Sequence, residues 1–331
     1  MTDNSSKNWK LLERRPIQGG RGRIVCVANQ KGGVAKTTTS VNLAAGLALR
    51  GHRVLVVDVD PQSNAATGLG IDHRNVERST YHLLLGDATL DDVIRPTAIK
   101  NLDCAPASLD LAGAEVELVS TMARERRLGE ALAGAAERYE LIFLDCPPSL
   151  GLLTVNALAA AQDLFVPVQC EYYALEGLGQ LLGNAERVRR SLNPDLRIAG
   201  FLLTMYDGRT KLSSQVENDV RSHFGELVFE TRIPRSVRLS EAPSFGEPVL
   251  TLDPSSRGAV AYRLLAAEVE TLYGLEVHKP PPPPPAPAPV LTASRPSTPG
   301  PGGRGYGVKT PRPDLPDSVW PRGEPFTVPG P

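Results

Sequence analysis

The sequence predicts an α/β fold: a doubly wound, mostly parallel sheet flanked by helices, one domain between disordered ends. Three observations predict it. Apolar runs such as "RIVCVAN", "RVLVVDVD" and "LIFLDC" are continuous rather than alternating, as strands covered on both faces are. Helical stretches separate them, which is the order of βα units. A glycine loop joins the first strand to the first helix, and acidic residues end two other strands, where ligands bind in such sheets.

The elements follow in order. "RIVCVAN" (Arg23 to Asn29) reads as a buried strand. "TTTSVNLAAGLALR" reads as a helix with Val41, Ala44, Ala45, Ala48 and Leu49 on one face, ended by Gly51. "RVLVVDVD" is a second strand, followed by the loop "PQSNAATGLG". Later strands are Leu141 to Cys146, Asp163 to Gln169 and Arg197 to Met205. Helices are expected over Ala123 to Tyr139, Leu152 to Ala161, Leu178 to Ser191, Leu212 to Phe224 and Ser256 to Tyr273. Residues 23–275 make one domain. Met1 to Gly22 reads as a flexible arm. Lys279 to Pro331, which holds more than half of the 30 prolines, reads as a disordered tail.

The chain has 331 residues, 41% of them hydrophobic, with a formal net charge of -1. Global charge therefore does not advertise nucleic acid, and any DNA contact needs a local basic face. The polar stretch from Met1 to Arg23 carries no secretion signal, and no apolar run approaches the ~20 residues of a membrane span. Cys26, Cys104, Cys146 and Cys170 form no C-x-x-C and read as small core residues of a reducing cytoplasm. The rival is a cluster shared between subunits.

The stretch "NQKGGVAKTTT" has the context of a phosphate-binding loop, between strand and helix. Gly32 and Gly33 let backbone approach phosphate oxygens. The amides from Gly33 to Thr38, through Val34, Ala35, Lys36 and Thr37, then point inward at a helix N-terminus. Lys36 should reach β- and γ-phosphates of a nucleotide, and the Thr37 hydroxyl should ligate Mg²⁺. Asp145, at a strand tip, would hold the metal through water. Asp58 and Asp60 lie two apart, so period two aims both to one side. One would support the metal shell and the other orient or deprotonate water. Gln30 replaces the usual first glycine, Ala35 the last, and Lys31 is a second lysine in the loop.

The set "KGGVAKTT", "VDVDPQSNAATGLG" and "LDCPPS" resembles the ParA/Soj family of deviant Walker-A P-loop ATPases. "VPVQCEYYALEGL", "LLTMYDGRT" and "IPRSVRLSEAPSFG" resemble its chromosomal partition branch. The resemblance runs from about Arg23 to Tyr273 and excludes arm and tail. It implies ATP and Mg²⁺ as cofactors and a homodimer formed with ATP. Lys31 would reach across the dimer to the partner's nucleotide. Asp60 would be the catalytic carboxylate, with Asp58 assisting the water shell, and Pro234 and Arg235 would pass the adenine. It further implies non-specific double-stranded DNA and a ParB-type centromere-binding protein as partners, at the nucleoid in the cytoplasm. Ala35 departs from the family's glycine. It is tolerated easily at negative φ and costs about 1 kcal/mol at positive φ.

By spacing alone, Arg209, Lys211, Arg232, Arg235 and Arg238 read as scattered surface cations. The resemblance makes Arg209 and Arg238, with Arg235 beside them, DNA-phosphate contacts, sequence-independent and salt-sensitive. "RVRR" (Arg187 to Arg190) reads as helix surface. One rival function is a MinD-like positioning ATPase, which needs a C-terminal amphipathic helix that a proline tail does not provide. Another is a metabolic or redox ATPase, which needs paired cluster cysteines or a substrate domain.

Overall fold

The computed structural model describes residues 22–172 and 176–276. Apart from Gly22, the arm and the proline-rich tail read from the sequence lie outside the described residues. Eight strands form one sheet: β1 (Arg23–Val27), β2 (Val54–Asp58), β3 (Arg95–Pro96), β4 (Leu102–Ala105), β5 (Leu141–Asp145), β6 (Asp163–Gln169), β7 (Arg197–Tyr206) and β8 (Val228–Pro234), in spatial order β3-β4-β2-β5-β1-β6-β7-β8. Every pairing is parallel except β3 with β4 at the edge. The predicted fold class, a mostly parallel sheet flanked by helices, is therefore the observed one.

Period two sorts the strand residues into two cores. Val25, Val27, Val54 and Val56 pack with Leu43, Leu47, Tyr262 and Leu265 on one face. Ile24, Cys26, Leu55 and Val57 pack with Leu153, Leu158 and Leu181 on the other. The central strand β1 lies between β5 and β6, so the loops that leave its carboxyl end and theirs meet at one crevice.

Some expectations give way. Helix α1 (Lys36–Leu49) is buried nearly all round, including Leu43 and Leu47, while Leu49, expected on the inner face, is 54% exposed. The helix expected over Ala123 to Tyr139 is two short helices, Arg127–Ala131 and Ala135–Arg138. Gly134, at φ 83°, and Ala123, at φ 53°, take left-handed backbone that a continuous helix does not permit. Strands β3, β4 and β8 carry no long apolar run and were not read from the sequence. All four cysteines are buried free thiols. Among the described residues no helix is long and apolar enough to cross a membrane.

Candidate nucleotide site

The loop after β1 is fastened from three sides. Asn29 donates its Nδ2 to the Pro167 carbonyl at 2.7 Å and accepts the Lys31 amide at 3.0 Å, tying the loop to β6. The Thr204 hydroxyl on β7 donates to the Val34 carbonyl at 3.1 Å. Lys36 folds over its own loop, its Nζ donating to the Lys31 carbonyl at 3.2 Å. Gly33 has φ 72° and Ala35 φ 69°. The structure thus selects the costlier alternative for Ala35, at about 1 kcal/mol. The Ala35 carbonyl accepts the Thr39 amide at 2.9 Å and so begins α1. A strained residue held by its surroundings in this way is typical of a binding loop.

The acids converge on the same place. In the β2–β5 register Asp58 lies beside Asp145. Asp145 Oδ1 accepts the Ser40 hydroxyl at 2.8 Å, and the Thr37 hydroxyl is near enough to the carboxylate to favour its charged form. Its Oδ2 is buried without a hydrogen-bond partner. Burial raises the Asp145 pKa to about 6, against the opposing pull of its hydroxyl donors and Lys36. Burial, with the Asp145 charge added, pushes Asp58 well above the usual carboxylate range. The Lys36 ammonium is itself buried, and burial lowers its pKa while Asp145 and Asp60 oppose that.

An orphaned carboxylate oxygen beside the Thr37 hydroxyl is the hard-oxygen environment that a magnesium ion takes. Asp60 is buried, and its Oδ1 accepts the Gln62 amide at 3.0 Å. Asp58 differs. Its two oxygens take the amides of Asp60, Ala65 and Ala66 at 3.1, 3.0 and 3.2 Å. It fixes the loop that carries Asp60.

Asp145→Asn is expected to stabilise the nucleotide-free protein at pH 7.5 by on the order of 1–3 kcal/mol. A carboxyl whose folded pKa lies above its unfolded value binds more protons in the folded state. Its destabilising charge therefore builds as pH rises from about 4 to about 6 and is full above that. The gain should vanish near pH 4. Thermal unfolding at the two pH values checks it, and equal melting at pH 7.5 contradicts it.

A family model described as an AAA domain matches residues 22–198. The sporulation initiation inhibitor protein Soj of Bacillus subtilis is 56% identical over 248 residues, covering 75% of this chain and 98% of its own length. The chromosome partitioning protein ParA of Myxococcus xanthus is 52% identical over 248 residues, covering 75% and 88%. The chain belongs to the ParA/Soj family. Its fold also matches a cobyrinic acid a,c-diamide synthase from Mycobacterium smegmatis, solved with an ATP analogue and magnesium. That match has a TM-score of 0.68 and 40% identity over 77% of this chain and 96% of that one. The cell division ATPase MinD of Pyrococcus furiosus matches at TM-score 0.63 and 29% identity, over 76% and 99%.

In this ParA/Soj chain the remaining candidates lie on the loops after β6, β7 and β8. Lys31 keeps its side chain 37% exposed, with Nζ 3.6 Å from Glu171 Oε2. Pro234 ends β8 opposite Tyr206, and the Arg235 amide bonds the Tyr206 carbonyl at 3.1 Å. The three DNA candidates are all exposed and all already paired. Arg209 forks onto Asp207 at 2.9 and 2.8 Å, Arg235 reaches Glu171 at 3.1 Å, and Arg238 reaches Glu241 at 3.1 Å and Asp253 at 3.4 Å. Arg209 holds the Asp207 carboxyl well below its usual range. Arg232 is instead drawn onto Glu217 at 2.6 Å and over the Tyr206 ring. Arg189 and Arg190 pair with Glu186 on their own helix, as a plain helix surface does.

Ser40, Thr204, Asn29 and Glu171 were not singled out in the sequence. Ser40 had a signal, lying one helical turn after Lys36 on the same face. Thr204 and Glu171 lie in stretches that carry the family resemblance, but no local pattern distinguishes either from its neighbours.

Proposed function

We propose that this chain is an ATP-dependent DNA-partition ATPase whose dimer is held together by nucleotide. One observation carries the reading. The loop has two lysines with opposite dispositions: Lys36 is buried in the cradle of its own loop, and Lys31, its backbone fixed, keeps a part-exposed side chain turned away from the cradle toward Glu171. One ammonium suits the chain's own nucleotide. The other suits a triphosphate presented by a facing protomer.

In this reading ATP lies along residues 31–38, from Lys31 and Gly32 to Thr38, with the adenine passing Pro234 and Arg235. Thr37 and Asp145 would hold magnesium, and Asp58 would keep the neighbouring loop in place for its water shell. When bound, the ion neutralises phosphate charge and fixes phosphate oxygens for in-line attack. Asp60, buried and with one oxygen uncommitted in the described hydrogen bonds, orients the attacking water and accepts its proton. Lys31 of each protomer supplies the cation that an arginine finger supplies elsewhere. Dimerisation therefore depends on the γ-phosphate, and DNA affinity depends on the dimer, which doubles a modest basic face. A ParB-type partner that stimulates hydrolysis would release both, at the nucleoid in the cytoplasm. The supports are family membership, the two-lysine loop and the strand-end acids. Identities to Soj and ParA proteins exceed those to the diamide synthase and MinD structures.

The test on the DNA face is Arg238→Glu. Replacing a cation by an anion beside Glu241 and Asp253 should weaken ATP-dependent binding to random-sequence duplex at least about tenfold and lower its salt dependence. ATP-dependent dimerisation should survive. Unchanged DNA affinity in a gel-shift titration would remove Arg238 from the face.

A further inference from the structure

Glu171 is the point at which the two functional surfaces meet. It lies two residues past the end of β6, and its own amide turns back onto the Gln169 carbonyl at 2.8 Å. β6 neighbours β1, so this turn lies beside the loop that carries Lys31. The carboxylate divides its two oxygens between two cations from different loops. Oε2 lies 3.6 Å from Lys31 Nζ, and Oε1 accepts Arg235 Nη2 at 3.1 Å. The Lys31 backbone cannot follow a moving side chain. Its amide is bonded to Asn29 and its carbonyl to Lys36. Only the four-carbon stem is free to swing, and a lysine stem is flexible enough for that.

We propose that Glu171 is a positioning residue that holds Lys31 on its own protomer until a partner's triphosphate draws it away. The proposal rests on the reading of Lys31 as the lysine that crosses the dimer. In the isolated protomer Glu171 gives Lys31 a counterion. Two cations on one carboxylate keep its oxygens aimed, Arg235 holding Oε1 so that Oε2 faces Lys31. A triphosphate carries more negative charge than one carboxylate and displaces it, whereas a nucleoside diphosphate offers less charge at that position. Glu171 therefore sets the threshold for dimerisation and sharpens the choice between ATP and ADP. Each half-exposed pair is weak alone. Two such pairs break per dimer, so the effect enters the dimer constant squared.

The experiment is sedimentation velocity of the full chain over a range of concentrations, with a non-hydrolysable ATP analogue and with ADP. Glu171→Gln keeps the side chain's shape and removes its charge. It should lower the concentration for half-dimerisation by about three- to tenfold in the analogue at 50 mM salt. The shift should shrink below about twofold at 500 mM salt, where ion pairs are screened. Glu171→Asp, which keeps the charge, should restore most of the wild-type midpoint. The melting temperature without nucleotide should stay within about 2 °C of wild type, because both partners are surface groups. An unchanged midpoint, a higher one, or a shift that persists at high salt overturns the proposal. A Lys31→Ala arm separates the two ideas. If that variant dimerises as wild type does, the crossing role of Lys31 is wrong. If it stays monomeric while Glu171→Gln matches wild type, only the holding role is.

Discussion

Lys36→Ala is expected to reduce ATP affinity at least about 100-fold, close to 3 kcal/mol, by calorimetric titration. Lys36 is the buried ammonium of the loop, its carbon stem enclosed and its Nζ on the Lys31 carbonyl. Burial already disfavours its charge, and Asp145 and Asp60 support it. A triphosphate entering the cradle would replace a weak carbonyl contact with charge-assisted bonds to phosphate, which are the strong class. Among the described residues the other lysine of the loop is not placed to take over. The Lys31 ammonium is outside the cradle, near Glu171. Because the alanine variant loses packed stem as well as charge, Lys36→Met provides the comparison that keeps the volume. Both should melt close to wild type and both should lose ATP. Affinity within threefold of wild type in either would show that the loop does not hold phosphate as described.

Asp60→Asn should cut hydrolysis by about 10²–10⁴-fold while leaving an ATP-bound dimer that persists on DNA. The substitution keeps the Oδ1 that accepts the Gln62 amide, so the loop is preserved and the loss is one of proton acceptance. Asp58 cannot substitute, since both of its oxygens are engaged by backbone amides. ATP turnover and gel filtration with ATP read the two halves separately. A monomer in ATP would mean that Asp60 helps to build the dimer rather than to hydrolyse its nucleotide.

The parts legible in the sequence were those set by local pattern. β1, its glycine loop and α1 were readable because a continuous apolar strand, two glycines and a lysine follow one another without interruption. Asp145 and Asp60 stood out because they end or follow buried strands beside the phosphate loop of a parallel sheet, although a lone acid at a strand end is ordinarily just solvated. The sign of φ at Ala35 was not legible, because alanine tolerates one well and the surrounding hydrogen bonds impose the other. The region from Ala123 to Tyr139 looked helical because its composition is, yet Gly134 divides it. The role of Glu171, though it lies in a stretch that carries the resemblance, was illegible for a different reason. Its partners Lys31 and Arg235 come from loops far away in sequence, and only the order β1-β6-β7-β8 brings the three together. The same holds for the carboxylates that already neutralise Arg235 and, through Asp253, Arg238. A basic face counted from sequence therefore overstates the charge that DNA would meet.

The central claim is that one lysine of each protomer leaves its own surface to bind the other protomer's nucleotide. The direct measurement is a structure of the chain with a non-hydrolysable ATP analogue and magnesium. The account predicts a two-fold dimer with Lys31 Nζ in hydrogen-bond contact with the facing triphosphate and detached from Glu171. A monomer, or a dimer in which Lys31 still rests on Glu171, would contradict it.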